Sequence, residues 1–213
     1  ELKHYIFTIG KLSEKNINLL RNYKSINLIS TEDLIDKKII DKLITSYSPF
    51  ELSNALRGSC HRYIYENTNL EQWIMLDADI AVVGPLEEIF KYYENSEILI
   101  TSHGSIPHSK RDEIISNELG FLKHGIYNSG LIGFKRGKIA YSAILWLEKR
   151  LLHFSEFSRD RINKCIKNEY DFLFVDQLWL NLLPIYFRSC CISFENRFNL
   201  GHWNLWEGNL SCT

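Results

Sequence analysis

The fold class of this chain is decided by two apolar stretches, YIFTI at residues 5–9 and INLI at residues 26–29. Both are rich in β-branched and aromatic residues, which favours strands, and the first stops at Gly10. Between them Ser13 can cap a helix that runs to about Tyr23. A strand, a helix and a strand at this spacing predict a right-handed crossover and parallel pairing. The chain is therefore expected to be an α/β protein.

The rest of the sequence continues this alternation. WIML at residues 73–76 is apolar on both faces, which fits the middle of a parallel sheet. Periodicity predicts five further helices: residues 33–44, a helix that begins at Pro49, and residues 86–93, 139–154 and 175–183, the last of which stops at Pro184. Two further strands are predicted at residues 97–101 and 126–134. Residues 102–125 form a long polar connection, and a connection of this length in a compact domain is typically a functional loop. Residues 155–170 form a charged connector. No linker or repeat divides the chain, so residues 1–213 are predicted to form one domain.

The composition of the chain argues against nucleic acid and membranes as partners. The 213 residues are 45% hydrophobic, which is enough for a sizeable core. The 25 Lys and Arg residues balance 26 Asp and Glu residues, so there is no basic field to attract nucleic acid. No apolar run approaches the roughly 20 residues that cross a bilayer, and the opening ELKH lacks the pattern of a signal peptide.

Cysteine usage indicates a reducing compartment. The chain has five cysteines, an odd number, and no CxxC pair. Spacing for a zinc site is therefore missing, and a disulfide scaffold is not expected at this size. The thiols are predicted to be reduced and mostly packed as small hydrophobes in a cytoplasmic protein. They are Cys60, Cys165, Cys190, Cys191 and Cys212.

The acidic triplet Asp77-Ala78-Asp79 follows the strand at residues 73–76. Carboxylates two positions apart face opposite sides of a strand, but both can converge on one metal where the chain turns. Open α/β sheets bind ligands at the carboxyl ends of their strands, and hard cations there take oxygen ligands and substrate phosphates. AVVGP at residues 81–85 is a second apolar run, which is expected to be buried. The alternative is a strand-end Asp that caps the next turn or helix.

Three further polar islands have two interpretations each. Asn128, in YNSG at residues 127–130, either faces a ligand or makes a local bond in a β-bulge. Asp176 and Gln177 either face a reacting carbon or cap the following helix. His202, in NRFNLGHWN at residues 196–204, either binds metal or phosphate or is structural.

Together these islands resemble a known family. WIMLDADI at residues 73–80, YNSG at 127–130 and DQLWLN at 176–181 occur in the order and rough spacing of glycosyltransferases of the GT-A fold. The chain is similar to the group of glycogenin and the bacterial lipooligosaccharide galactosyltransferases, over about residues 47–206. NLGHWNL at residues 199–205 also resembles a bacterial set of predicted glycosyltransferases. The resemblance implies a Rossmann-like nucleotide-diphospho-sugar transferase fold, with a mostly parallel central sheet flanked by helices.

The resemblance also implies roles for individual residues. The metal is expected to be Mn²⁺ or Mg²⁺, bound by Asp77 and Asp79, with Asp77 also touching the nucleotide sugar. The residues expected near the donor are Arg57, Asn128 beside the sugar, and Asp176 and Gln177 beside the anomeric carbon, with Phe7, Thr8 and Gly10 around the uracil. Relatives have a third metal ligand, a His in an HFxG segment that this sequence lacks. Either His202 substitutes for it, also near the donor, or the segment lies outside the sequence.

The expected function is metal-dependent transfer of a sugar from a UDP-sugar to a carbohydrate or other hydroxyl acceptor. Asp176 is the expected general base if the reaction inverts configuration, and the sequence leaves inversion or retention open. Acceptor choice is expected in the 102–125 loop, through His103, His108, Lys110 and Arg111. The size also fits one domain excised from a longer protein with fused domains, such as the multidomain glycosyltransferases of chloroviruses.

The sequence bears on three alternatives to this function. The first is a binding module with the same fold and no turnover. A nucleotidyltransferase normally has a Gly-rich, basic phosphate loop after the first strand, and Gly10-Lys11-Leu12-Ser13 is too sparse for one. A dehydrogenase is poorly supported because no GxGxxG follows that strand.

Overall fold

A parallel strand pair opens the structure, a computed structural model that describes residues 2–155 and 175–207. β1 (His4–Thr8) pairs with β2 (Ile26–Ser30) in parallel, and α1 (Glu14–Arg21) connects them. The side chain of Ser13 caps α1 by accepting a hydrogen bond from the Asn16 N–H. The predicted strand, helix and parallel strand are confirmed.

A second sheet has four strands in the order β3 (Gln72–Leu76), β5 (Tyr127–Lys135), β4 (Ile98–Ser102) and β6 (Cys190–Ser193). β5 pairs antiparallel with both β3 and β4, whereas β4 and β6 are parallel. β5 alone runs against the other three strands, and its position between β3 and β4 makes two of the three pairings antiparallel. The central sheet is therefore mixed: three of its four strands run in one direction, as expected of a mostly parallel sheet, but two of its three pairings are antiparallel. β3 lies at the edge of this sheet rather than in its middle.

Helices flank the sheets, as predicted for an α/β protein. They are α2 (Lys37–Ser46), α3 (Pro49–Ala55), α4 (Arg57–Asn67), α5 (Glu87–Tyr92), α8 (Lys138–Phe154), α9 (Gln177–Leu180) and α10 (Leu183–Tyr186). The predicted helix over 175–183 is divided between α9 and α10. Pro184 lies in the first turn of α10 instead of ending a helix, because a first-turn proline gives up no intrahelical hydrogen bond.

The 102–125 connection is partly helical rather than a plain loop. It contains α6 (Arg111–Glu113), a π-helical turn (Ile114–Glu118) and α7 (Leu119–His124). Gly125 ends α7 with a φ of +124°, a conformation that favours glycine. This helical segment leads directly into β5.

α4 and α8 pack closely against each other and fix the start of α4. α8 buries Ile144, Leu147 and Leu151 against the four-stranded sheet, and each such side chain contributes about 1.5–3 kcal/mol. A Cβ on Gly58 would lie 2.3 Å from the Cα of Glu148, so only glycine permits this approach. Arg57, the first residue of α4, is held in place by the same packing.

The apolar run at residues 81–85, which follows the acidic triplet, is not buried. The Ile80 N–H donates to the Asp77 carbonyl at 3.1 Å, so the chain turns away from the sheet after β3. Val82 is 52% and Val83 97% exposed. The expectation that residues 81–85 are buried is wrong.

The remaining sequence predictions concern thiols and membranes. Cys60, Cys190 and Cys191 are free thiols. Cys165, Cys212 and residues 156–170 of the predicted connector lie outside the described residues. Within residues 2–155 and 175–207, none of the helices combines the length and apolar character needed to cross a bilayer.

Candidate functional site

The Arg57 side chain contacts residues from three separate segments of the chain. Its Nη1 donates to the Ser129 carbonyl at 2.6 Å, its Nη2 donates to Asp77 Oδ1, and its Nε lies 3.1 Å from Asp176 Oδ2. Burial alone would lower the pKa of Arg57, but the charges of Asp176 and Asp77 outweigh that effect and the pKa is raised. The guanidinium is therefore a permanent cation between two carboxylates.

Asp176 is a buried carboxylate, only 1% exposed. The Ser129 hydroxyl donates to its Oδ1 at 3.1 Å, while Oδ2 faces Arg57 Nε without forming a hydrogen bond. Burial raises the pKa of Asp176, the Arg57 charge lowers it, and the Asp77 charge raises it again, so that the net direction is upward. Asp176 precedes α9 but its side chain does not cap that helix, so the capping interpretation is wrong.

The backbone before Asp176 is strained. Val175 is buried and has a φ of +38°, which is rare for a β-branched residue. Such strain persists only where the surrounding packing imposes it, and it is concentrated at functional positions. The conformation of Val175 delivers the Asp176 side chain inward to Arg57.

Asn128 lies at an irregularity in β5. The pairing of β4 with β5 shifts register between Ile100 and Thr101, and the Gly130 N–H donates to Asn128 Oδ1 at 2.7 Å. The structural alternative, a bulge with a local Asn bond, is therefore confirmed. A Cβ on Gly130 would lie 2.8 Å from Asn128 Oδ1 and 3.4 Å from Asp77 Oδ2, so the Asn128 amide packs against the glycine backbone more closely than a side chain would allow.

A hydrogen-bond network extends from Asn128 to the end of the described chain. Asn199 Nδ2 donates to Asn128 Oδ1 at 2.8 Å and to Thr101 Oγ1 at 3.0 Å. Asn128 Nδ2 lies 3.0 Å from His103 Nε2, and Asn204 Nδ2 donates to the Asn199 carbonyl at 3.1 Å. All five side chains are buried, so the network fixes their orientation.

Glu207 fastens the same terminal segment to the residues after β4. Its carboxylate accepts hydrogen bonds from the Ser105 N–H at 2.9 Å, the Ser105 hydroxyl at 2.6 Å, the Ile106 N–H at 3.2 Å and Asn196 Nδ2 at 2.9 Å. Burial would raise the pKa of Glu207, but these bonds, led by Ser105, lower it. The terminal segment is thus tied to the 102–125 connection.

The predicted metal ligands are only partly gathered. Asp79 is exposed and has neither a hydrogen bond nor an ion pair in the described part of the chain, whereas Asp77 gives one oxygen to Arg57. His202 is exposed beside Trp203, with the ring centroids 5.0 Å apart. Across residues 2–155 and 175–207, no three His, Cys, Asp or Glu side chains converge as a metal-binding group. The role of His202 as third ligand stays a prediction.

The chemistry of the donor set fits a hard cation. Asp79 and the second oxygen of Asp77 could supply carboxylate ligands, and Mg²⁺ or Mn²⁺ accepts two such ligands with water and phosphate oxygens in the other positions. Asp77, Asp79 and Asp176 together outnumber the one guanidinium of Arg57. The excess negative charge favours a divalent cation here.

The residues predicted at the uracil lie on the other sheet. Phe7 packs against Tyr63 with ring centroids 6.1 Å apart, and Thr8 donates to the Ile29 carbonyl at 3.3 Å. Gly10 is exposed, with a φ of +76°. Phe7 therefore packs partly into the core. Its neighbour Tyr63 lies on α4, the helix that begins with Arg57.

Sequence reasoning missed part of this arrangement. Ser129 and Asn199 lie in stretches that stood out for their polarity, but neither was given a role. The bond between His103 and Asn128 is a contact that the sequence does not predict, and a role of His103 in acceptor choice stays a prediction. A buried strand that carries consecutive Asn and Ser residues was the available signal for Ser129.

Comparisons with known proteins give one likeness. The chain is 25% identical over 145 residues to the uncharacterized protein YfnF of Bacillus subtilis (strain 168). The match covers 68% of this chain and 44% of YfnF, so the chain spans less than half the length of that relative. No family model matches the chain, and no solved structure matches it.

Proposed function

We propose that this protein is a metal-dependent glycosyltransferase with a GT-A fold, which transfers a sugar from a UDP-sugar to a carbohydrate or other hydroxyl acceptor. The observation that carries the proposal is the contact of Arg57 with Asp77, Ser129 and Asp176. These residues belong to the segments whose sequences resemble the family. A cation and an excess of carboxylates, next to the exposed Asp79, suit a nucleotide diphosphate and its metal.

Asp77 and Asp79 would hold Mn²⁺ or Mg²⁺. When bound, the cation supplies a Lewis acid for the departing diphosphate. Arg57 adds a fixed positive charge where negative charge develops on the leaving group, and it is positioned before the reaction begins. Asn128 and Gln177 orient the sugar through amide donors and acceptors.

Asp176 has two proposed roles, and they depend on whether its side chain stays buried. In the arrangement described above it neutralises and orients Arg57. A general base must reach the acceptor hydroxyl within about 2.6–3.2 Å, so an inverting reaction requires Asp176 to become accessible when substrates bind. Product stereochemistry, followed for wild type and Asp176→Asn, distinguishes a base from an orienting group.

The burial of Asp176 also favours a second candidate, a nucleotide-sugar-binding module without turnover. Asp176 is 1% exposed and already paired, so the carboxylate expected to act as base is not free. Such a module would use the same contacts to bind a donor. It would differ from the enzyme only in lacking hydrolysis and transfer.

The experiment that tests both candidates begins with a thermal-shift screen. UDP-glucose, UDP-galactose, UDP-N-acetylglucosamine and UDP are each added with MnCl₂ or with EDTA, and GDP serves as the control nucleotide. A ligand that binds only the folded state must raise the melting temperature, by an amount that grows with its concentration relative to Kd. Stabilisation by a UDP-sugar only with Mn²⁺ supports the proposal, and none by any nucleotide contradicts it. A donor-hydrolysis assay on the best ligand then separates enzyme from module.

A further inference from the structure

The tautomer of the His103 ring is fixed by its neighbours. A backbone N–H can only donate, so the 2.7 Å bond from Gly130 identifies the Asn128 oxygen, which also accepts from Asn199. The other end of the Asn128 amide, its NH₂ group, therefore faces His103 Nε2 at 3.0 Å. Nε2 is the acceptor in this bond, and a neutral His103 ring carries its proton on Nδ1.

This Nδ1–H is a donor without an acceptor among the described residues. His103 is 7% exposed, and within residues 2–155 and 175–207 its buried Nδ1 has no hydrogen-bond partner. The Gly125 backbone and the Gln177 side chain are near enough to favour the charged ring, but neither reaches hydrogen-bonding geometry at Nδ1. Burial outweighs them and lowers the pKa of His103 to about 4, so the ring is neutral at pH 7. A buried donor left unpaired is costly, and its presence calls for an explanation.

Two aromatic rings pack against His103. Phe121 stacks on His103 with ring centroids 5.3 Å apart, and Trp203 meets it edge-on at 5.7 Å. Trp203 Nε1 is also a buried donor for which the described part of the chain offers no hydrogen-bond partner. Apolar walls with a few unfilled polar groups are typical of a small-molecule site.

The chemistry at His103 selects the kind of group that it can bind. A metal needs a ring lone pair, but Nδ1 carries the proton and Nε2 is occupied by Asn128. A charged ring would add electrostatic attraction for a phosphate, and burial, which lowers the pKa of His103, removes that attraction. A neutral oxygen acceptor, such as a sugar hydroxyl, matches a neutral N–H donor.

We propose that His103 contacts the sugar that is transferred, donating from Nδ1–H to one of its hydroxyl oxygens beside Gln177. This inference rests on the proposed function, because Asn128 and Gln177 are the residues assigned to the donor sugar. The bond to Asn128 assigns His103 to the donor side of the site rather than to the acceptor. Nδ1 is buried in the ligand-free protein, and the half-buried Gln177 side chain moves aside to admit the hydroxyl.

Two variants separate sugar contact from a structural role. In His103→Asn the side-chain amide can supply a donor near the position of Nδ1, whereas in His103→Gln the amide oxygen can replace Nε2 as the acceptor for Asn128. Calorimetry with MnCl₂ measures Kd for UDP and for the UDP-sugar that gives the largest thermal shift. We expect His103→Gln to weaken UDP-sugar binding about tenfold or more while UDP binding stays unchanged, since a missing hydrogen-bond partner is strongly discriminating. We expect His103→Asn to stay closer to wild type.

Other outcomes overturn the proposal. The proposal is wrong if His103→Gln binds the UDP-sugar like wild type, or if both variants lose affinity equally. It is also wrong if His103→Asn is the weaker binder, because His103 would then act by orienting Asn128. ¹⁵N NMR of the histidine rings needs no ligand and no variant, and a proton found on Nε2 of His103 also overturns it. If neither UDP nor any UDP-sugar binds the wild type, the proposed function itself fails; if UDP-sugars bind but the variants do not discriminate, only the role of His103 fails.

Discussion

Nε of Arg57 lies 3.1 Å from Oδ2 of Asp176, and Asp176 is almost completely buried. The two residues come from distant parts of the chain, at the start of α4 and immediately before α9. A buried carboxylate is tolerated when a cation and a hydroxyl compensate it, here Arg57 and Ser129. This pair therefore connects the stability of the domain to the chemistry of its site.

Arg57→Met should lower the free energy of unfolding by about 3–5 kcal/mol, because it leaves Asp176 as an unpaired buried charge. Urea denaturation at pH 7 measures the change. The control is Arg197→Met, whose ion pair with Glu88 is exposed and should contribute at most about 1 kcal/mol. Adding Asp176→Asn to Arg57→Met should recover part of the loss, and no recovery would show that the charge is not the cause.

The pH dependence of stability should have a contribution from His61. Its ring is fully buried, its Nδ1 accepts from Trp73 Nε1 at 3.1 Å, and burial, assisted by the Arg57 charge, lowers its pKa to about 3. The unfolded chain binds a proton below pH 6.5 and the folded protein does not. Stability is therefore complete above pH 6.5 and falls with decreasing pH, by up to about 1.4 kcal/mol per pH unit.

The variant His61→Asn isolates this contribution, since the Asn oxygen can replace Nδ1 as the acceptor for Trp73 but does not titrate. Urea denaturation between pH 6.0 and 4.5 should give a shallower slope for the variant than for wild type. The slopes are compared rather than the absolute values, because the smaller side chain leaves a cavity. Equal slopes would mean that His61 ionises in the folded protein as it does in the unfolded chain.

Asp79→Asn should remove metal-dependent ligand binding without affecting the fold. The Asp79 side chain is exposed and makes no hydrogen bond or ion pair with the described residues, so stability should change by less than about 0.5 kcal/mol. The stabilisation by UDP-sugar and Mn²⁺ should disappear. Asp41→Asn, an exposed carboxylate on α2, is the matched control and should bind like wild type. An unchanged Mn²⁺ response in Asp79→Asn would exclude this carboxylate as a ligand.

Gly130→Ala should disturb the Asn128 network. The new Cβ would lie 2.8 Å from Asn128 Oδ1, so the amide must shift from Asn199 and His103 at a cost of about 1–3 kcal/mol. Gly84→Ala is the control, because no atom lies within 4 Å of its added Cβ. The difference in melting temperature between the two variants measures the effect, and equal melting temperatures would show that β5 adapts freely.

Glu207→Ala should release the residues after β4. The Ser105 and Ile106 amides both donate to the Glu207 carboxylate, so their hydrogen exchange should become at least about tenfold faster. Glu195→Ala, which removes an exposed carboxylate paired with Arg197, should leave exchange at these amides unchanged. Unchanged exchange in Glu207→Ala would mean that the Glu207 carboxylate does not protect these two amides.

Local sequence patterns predicted the elements better than their arrangement. The first strand, helix and strand were predictable because residues 5–9 and 26–29 have strand composition and Ser13 is a helix cap. The direction of β5 was not, since periodicity indicates the type of an element but not which neighbour it pairs with. Val82 and Val83 illustrate the same limit: their apolar character predicted burial, but the chain path after β3 leaves them exposed.

The candidate site shows a similar division. Arg57, Asp77 and Asp176 could be named from motifs, but their mutual contacts are long-range and depend on how α4 packs against α8. The bulge and local bond at Asn128 were foreseen as an alternative, whereas its bonds to His103 and Asn199 join segments that are far apart in the chain. Side-chain networks of this kind follow from tertiary packing and leave no periodic signal in a sequence.

The contacts of Arg57 also have a kinetic consequence. Arg57 is 72 positions from Ser129, and Ser129 is 47 positions from Asp176, so two large loops must close before the three groups meet. Contacts of such separation form slowly during folding, after local helices and turns. Binding at this site should therefore recover later in a refolding experiment than the circular-dichroism signal of the helices, which makes it a reporter of completed folding.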